Sequence, residues 1–158
     1  MAELGAAQVC ESSLLAAPPD AVWQRVGSMP GVNAELAPLL AMTFPARWQR
    51  LTADAVAADR PVFRSVILLF GIVPIDVHSV GFASMEPGSG FLERSSSLLH
   101  SSWIHERRLV PVGGGTRITD RVHFRNRLPI PGAMTVPLMR FVFRHRHRRL
   151  RRHFGAAR

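Results

Sequence analysis

Between residues 62 and 127, five β-like segments follow one another with only short turns between them, and this crowding constrains the fold more than any other feature. The segments span 62–70, 75–85, 90–99, 101–112 and 116–127. Their separators are Gly71 and Pro74, then Pro87-Gly88-Ser89-Gly90, then the region of His100, then Gly113-Gly114-Gly115. Strands set this close, each bounded by turn residues, predict an antiparallel meander. Pro129 to Gly132 ends the run, and a long helix is predicted over 134–154. There Val136, Met139, Phe143, His147, Leu150 and Phe154 recur at intervals of three and four, which makes one helical face. Arg140, Arg144, Arg148, Arg151 and Arg152 lie largely off that stripe.

Ahead of the meander, 9–17 reads as a first strand ended by Pro18-Pro19. Asp20 begins a short helix over 21–26, with Val22, Trp23 and Val26 at helical spacing. Pro30-Gly31 restarts the chain, and a second short helix is predicted over 32–40. The stretch 42–59 reads as irregular or partly helical. The predicted class is α+β: a curved antiparallel sheet whose one apolar face is covered by the C-terminal helix, with two short helices after the first strand.

Three stretches carry a resemblance. They are Ala17-Pro18-Pro19-Asp20-Ala21-Val22-Trp23; the strand residues Trp103-Ile104-His105-Glu106-Arg107 with Gly115-Thr116-Arg117-Ile118-Thr119-Asp120-Arg121-Val122; and Phe143-Arg144-His145-Arg146-His147-Arg148-Arg149-Leu150. In these the chain resembles the START-like helix-grip superfamily (SRPBCC), which includes polyketide cyclase/dehydrase and lipid-transfer proteins. The resemblance implies one ligand-binding domain over 1–158, with a cavity between the sheet and the last helix. It implies a lipid, sterol, polyketide or hormone as ligand, and in some members cyclisation or dehydration.

Strand alternation gives an independent view of the interior. Ile118, Val122 and Phe124 share a face with Asp120, while Arg117, Thr119, Arg121, His123, Arg125 and Arg127 form the other, which must meet water. Asp120 is therefore expected inside. A two-residue turn at Gly113-Gly114 sets Val112 opposite Gly115 and Arg107 opposite Asp120. His105 and Arg107 then point inward with Trp103 and Leu109. Glu93 joins them if Phe91, Glu93 and Ser95 form the inner face of their strand, and His147 faces the group from the helix.

Buried charges must pair or change protonation state, so two readings stand side by side. In one, Arg107 and Asp120 form a structural fork closing an end of the core. In the other, His105 or Glu93 acts as general acid or base on a bound carbonyl, Arg107 orients an oxygen, and Asp120 completes the set. The expected apolar lining is Trp23, Leu68, Phe82, Phe91, Trp103, Phe124, Met139 and Phe143, with His147 as a further ligand contact. A mostly apolar pocket with few polar groups suits a hydrophobic small molecule. No cofactor is expected.

Other candidates read more plainly. His145, His147 and His153 sit among arginines, which repel a cation, so a metal site is not expected. Asp76 and His78 share parity and read first as a surface pair, with a cavity mouth as the alternative. Cys10, the single cysteine, reads as a small buried or edge residue and excludes an internal disulfide. Ser95-Ser96-Ser97 read as ordinary strand serines, half in and half out.

The net charge is +9, and all twenty basic residues are arginine. Positions 140–158 hold eight arginines and no acid, whereas the first 46 residues hold one arginine and four acids, Glu3, Glu11, Asp20 and Glu35. Part of the excess fits the codon bias of a GC-rich genome, and the bland reading is a solvated helix face. The alternative is an anionic partner, a membrane surface met through 140–152. Nucleic acid is disfavoured, because no aromatic residues interleave on the outer strand face. The N-terminus, Met-Ala-Glu-Leu-Gly, lacks a basic segment followed by an apolar block, so no signal peptide and a cytoplasmic location are expected.

Overall fold

The first strand, β1 (Ala7–Leu15), alternates buried and exposed residues and enters the sheet two residues earlier than its sequence pattern suggests. The computed structural model describes residues 6–56 and 60–157. The N-terminal segment read for a signal peptide, residues 57–59 of the irregular stretch and Arg158 lie outside the described residues.

Helix α1 (Pro19–Val26) starts directly after Pro18 and buries Val22, Trp23 and Val26. Helix α2 (Met29–Leu36) corrects the predicted span of 32–40. Pro30 does not break the helix. It sits in the first turn, where no backbone N–H is needed, and Ser28 Oγ accepts from Gly31 N at 3.1 Å as the cap. The helix stops at Leu36 because Pro38 disfavours a helical Ala37. Leu40 belongs instead to the short strand β2 (Leu40–Met42). Two single-turn 3₁₀ helices, Ala46–Trp48 and Ala53–Ala55, occupy the stretch read as irregular.

The meander is β3 (Phe63–Leu69), β4 (Val73–Val80), β5 (Phe82–Glu86), β6 (Gly90–Ser97), β7 (His100–Val112) and β8 (Gly115–Asn126). The predicted single strand 75–85 is thus two strands broken at Gly81. Arg94 N donates to Gly81 O at 2.8 Å, while Gly81 N donates to Ser95 Oγ at 3.1 Å rather than to a backbone carbonyl. A Cβ on Gly81 would stand 2.8 Å from Arg94 O, so only glycine allows this approach. The strand order is β1-β8-β7-β6-β4-β3-β2, with β5 also on β6, and every pairing is antiparallel. β6 therefore pairs β5 near its start and β4 near its end, and the sheet curls there.

Helix α3 (Gly132–Phe154) packs on β1 and α2, and its last turn is tied back by Ala16 N to Gly155 O at 3.0 Å. Its inward residues are Phe143, Arg146, His147 and Leu150. One apolar cluster gathers α1, the start of α2 and the inner face of the strands around Ile118 and Phe82. The other joins Ala7, Val9, Val122, Phe124 and Phe143. No described helix is long and apolar enough to cross a membrane.

Candidate functional site

The β7–β8 register places Arg107 opposite Asp120 and Val112 opposite Gly115, as strand parity predicts. Glu93 pairs with His105 across β6 and β7. All four ionisable side chains are buried, Arg107 and Asp120 completely.

Arg107 is the centre of this interior. Its Nε donates to Asp120 Oδ1 at 2.7 Å and its Nη2 to Asp120 Oδ2 at 2.7 Å. On its other edge, Nη1 donates to Glu35 Oε1 at 2.8 Å and Nη2 to Glu35 Oε2 at 2.9 Å. Asp120 accepts two further bonds, from His105 Nε2 at 2.8 Å and from His147 Nε2 at 2.9 Å. Its two oxygens therefore take four donors, which fills a carboxylate's capacity. Behind it, Arg151 Nη1 donates to Ser13 Oγ at 2.6 Å, which leaves the serine hydrogen for His147 Nδ1 at 2.8 Å. Arg146 Nε donates to Glu35 Oε2 at 2.9 Å.

The second half of the network runs through Glu93. Its Oε1 accepts from His78 Nε2 at 2.8 Å and from Ser95 Oγ at 2.7 Å, and its Oε2 lies 3.4 Å from His105 Nδ1. Burial raises a carboxyl's pKa, but here the hydrogen bonds and charge of His105 and His78 outweigh it and hold Glu93 well below the usual range. Burial likewise opposes ionisation of Asp120 and Glu35, and the guanidinium of Arg107 overrides it in both. His78 is the reverse case: burial disfavours its charge, yet Glu93 and Asp76 raise its pKa above the ordinary value. The three carboxylates Glu35, Glu93 and Asp120 face two guanidiniums, Arg107 and Arg146, and the imidazoles of His78 and His105 lie against Glu93.

A cavity of about 450 Å³ opens beside this network, between the sheet and α3. Of the predicted residues, Phe82, Phe91, Trp103, Met139, Phe143, Glu93 and His105 line it. Trp23, Leu68, Phe124, His147, Arg107 and Asp120 do not. Trp23 packs from α1 into the core, with its ring against Gly27. Leu68 lies on the other face of β3, where plain alternation carries Ser65, Ile67 and Leu69 inward and Ile67 and Leu69 reach the cavity. Phe124 fills the core with Val9 and Val122, and His147 is spent on Asp120 and Ser13. The remaining walls come from α2, β2 and their connection, with Leu36, Leu39, Leu40 and Met42.

Asp76 and His78 are not a surface pair. Asp76 Oδ1 accepts from Leu98 N at 3.0 Å and Leu99 N at 3.3 Å, and so clamps the β6–β7 turn. Both residues are buried and line the cavity, because they alternate inward along β4 with the buried Val80. His145 is held by Ala37 O at 2.8 Å, and His153 stacks edge-on against Phe154 at 4.7 Å. Cys10 is exposed on the edge strand β1. Arg140, Arg144, Arg148 and Arg152 are exposed.

Sequence reasoning missed Glu35, Arg146, Ser13 and His100. Glu35 is the most informative omission. Glu35 lies on the buried side of α2 beside Leu36, and α2 packs on α3. A single acid on a short apolar helix was the available signal.

The family model described as "Domain of unknown function (DUF8410)" matches residues 13–154. No curated protein matches the chain. Among solved structures, protein CV1439 from Chromobacterium violaceum superposes with a TM-score of 0.69 at 13% identity, over 95% of this chain and 98% of that one. A START superfamily protein from Mycobacterium smegmatis gives 0.67 at 12% identity, over 93% and 96%. Ara h 8.0201 gives 0.59 at 12% identity, over 92% and 98%.

Proposed function

The chain belongs to the DUF8410 family and has the START-like helix-grip fold, and from that premise we propose that it binds a hydrophobic small molecule, lipid-like or polyketide-like, in the cavity between sheet and α3. One observation carries this reading: the cavity holds about 450 Å³ and 21 of its 27 lining residues are apolar. That size and composition match small-molecule pockets, which are mostly apolar with a few convergent polar groups. Native mass spectrometry of the purified protein tests it, together with titration of the neutral dye Nile red. Saturable one-to-one binding is expected; its absence, with no co-purifying molecule, ends the proposal.

A second reading, acid/base chemistry of cyclase or dehydratase type, is supported by Glu93 and His105 on the cavity wall. Arg107 and Asp120 would then act as positioning residues, since neither reaches the cavity. His105 touches carboxylates through both ring nitrogens, so its place in that chemistry is to hold Glu93. Turnover that survives Glu93→Gln in a folded protein removes this reading.

The partner in the binding reading is an anionic membrane. Phe70, Ile72, Met134, Leu138 and Phe141 are between 54% and 77% exposed, and Phe70, Leu138 and Phe141 also line the cavity. Exposed Arg140 and Arg144 follow this apolar strip along α3. An apolar rim with adjacent arginines fits a bilayer of acidic headgroups better than it fits bulk water.

A further inference from the structure

We propose that His78 is the anchoring residue of the cavity and that it selects a neutral oxygenated hydrophobe, one with a hydroxyl or carbonyl oxygen, over a hydrophobic carboxylate. The inference rests on the binding reading above and adds the ligand's class to it.

Among the described buried histidines, His78 and His100 keep a ring nitrogen without a hydrogen bond on the cavity wall, and of these two only His78 has its other nitrogen bonded to a carboxylate, while His100 Nδ1 faces Ser97 Oγ at 3.3 Å. His105 is engaged at both nitrogens by Asp120 and Glu93, and His147 at both by Asp120 and Ser13. His78 gives Nε2 to Glu93 Oε1 at 2.8 Å, and among the described residues no group bonds its Nδ1. The ring lies on the cavity wall and is fixed from the side by Trp103, edge-on at 5.8 Å. A carboxylate only accepts, so Nε2 must carry a hydrogen. Neutral His78 then offers Nδ1 as an acceptor, and protonated His78 offers it as a donor. A ligand hydroxyl satisfies either state, and a carbonyl satisfies the second.

A second polar atom stands beside it without a partner. Ser65 pairs with His78 across β3 and β4, so both side chains share the inner face. Ser65 is fully buried, and its Oγ has no hydrogen bond among the described residues. Buried polar atoms are nearly always satisfied, so Ser65 Oγ is an unmet polar atom on the strand pair that carries His78, behind the cavity lining rather than in it.

Charge decides the class. A carboxylate at Nδ1 would stand near the ionised Glu93 and beside Asp76, both on the same wall. The guanidiniums that could offset it are already forked: Arg107 between Glu35 and Asp120, and Arg146 onto Glu35 at 2.9 Å. Adding a further buried anion there lacks a counter-charge, whereas a neutral oxygen meets no such penalty.

The test compares three matched probes on the intact protein by titration calorimetry at near-neutral pH: 2-naphthol, 2-naphthoate and naphthalene. 2-Naphthol is expected to bind about tenfold more tightly than 2-naphthoate and about fivefold more tightly than naphthalene, the size of one net hydrogen bond. His78→Phe should abolish the advantage over naphthalene while naphthalene itself stays within about twofold. Equal or tighter binding of 2-naphthoate overturns the inference, and so does wild-type protein that treats 2-naphthol and naphthalene alike. These wild-type comparisons hold even if the variant misfolds. Nile red binding without any preference among the probes would leave the cavity function standing and remove the role of His78. Failure of every probe, Nile red included, would remove both.

Discussion

Arg107 and Glu35 lie seventy-two residues apart in sequence, yet they meet in a two-point fork of 2.8 and 2.9 Å with both side chains buried. This fork joins α2 to the sheet, and Arg146 on α3 adds a third element to the same carboxylate. A salt bridge of this kind is weak evidence for net stabilisation, but removing one member strands the others. Arg107→Met leaves Glu35 and Asp120 without their shared cation and should cost about 3–5 kcal/mol in urea unfolding. A cost below about 1 kcal/mol would mean that water reaches these carboxylates.

Stability should depend on pH along two limbs. Glu35, Glu93 and Asp120 are held below their ordinary values of 4.5, 4.5 and 3.8, so their contribution is complete above those values and fades as pH falls through the depressed ones. His78 is raised above 6.5, so its contribution is complete below 6.5 and fades as pH rises through its folded value. His100 is lowered by burial and acts in the opposite sense, losing stability as pH falls below 6.5. Thermal melts of His78→Gln should therefore lose the decline on the alkaline side and keep the acid limb. An unchanged alkaline decline would show that another group causes it.

Filling the cavity should separate binding from folding. Met139 lines the cavity from α3 and is only half-buried. Met139→Trp should weaken Nile red binding at least about tenfold while changing unfolding free energy by about 1 kcal/mol or less, since the added volume enters open space. Undiminished binding would place the dye elsewhere on the protein.

The exposed rim gives a prediction about membranes. Wild-type protein should co-sediment with vesicles of phosphatidylcholine and phosphatidylglycerol, less with phosphatidylcholine alone, and less again in high salt. Ile72→Asp with Met134→Asp, exposed rim residues that do not line the cavity, should abolish sedimentation and leave Nile red binding intact. Loss of sedimentation from Arg148→Glu but not from the rim pair would shift the contact to the C-terminal half of α3.

The inner end of the site was legible because strand parity is rigid. Once Arg117, Arg121 and Arg125 claim the outer face of β8, Asp120 has nowhere else to point, and a two-glycine turn carries the register to Arg107. Alternation holds on β3 and β4, where Ser65, Ile67 and Leu69 and then Asp76, His78 and Val80 face inward, but which face of these two strands meets the cavity is set by how the sheet curls over α3. At α2 the missing information was the partner, because Glu35 reaches Arg107 and Arg146 only through the docking of α2 against the sheet and α3.

Local pattern alone specifies the α+β class, the antiparallel run of strands after residue 62, the inward face of β7 and β8 and the amphipathic stripe of α3. These follow from local periodicity, which two neighbouring turns of chain already specify. That Glu35 closes on Arg107, that Asp120 is saturated and withdrawn from the cavity, and that His78 keeps an open nitrogen at its wall became visible with the folded chain and not before. Those outcomes depend on distances between groups far apart in the chain, set by how the sheet curls and how α2 and α3 dock on it, and no local pattern encodes them.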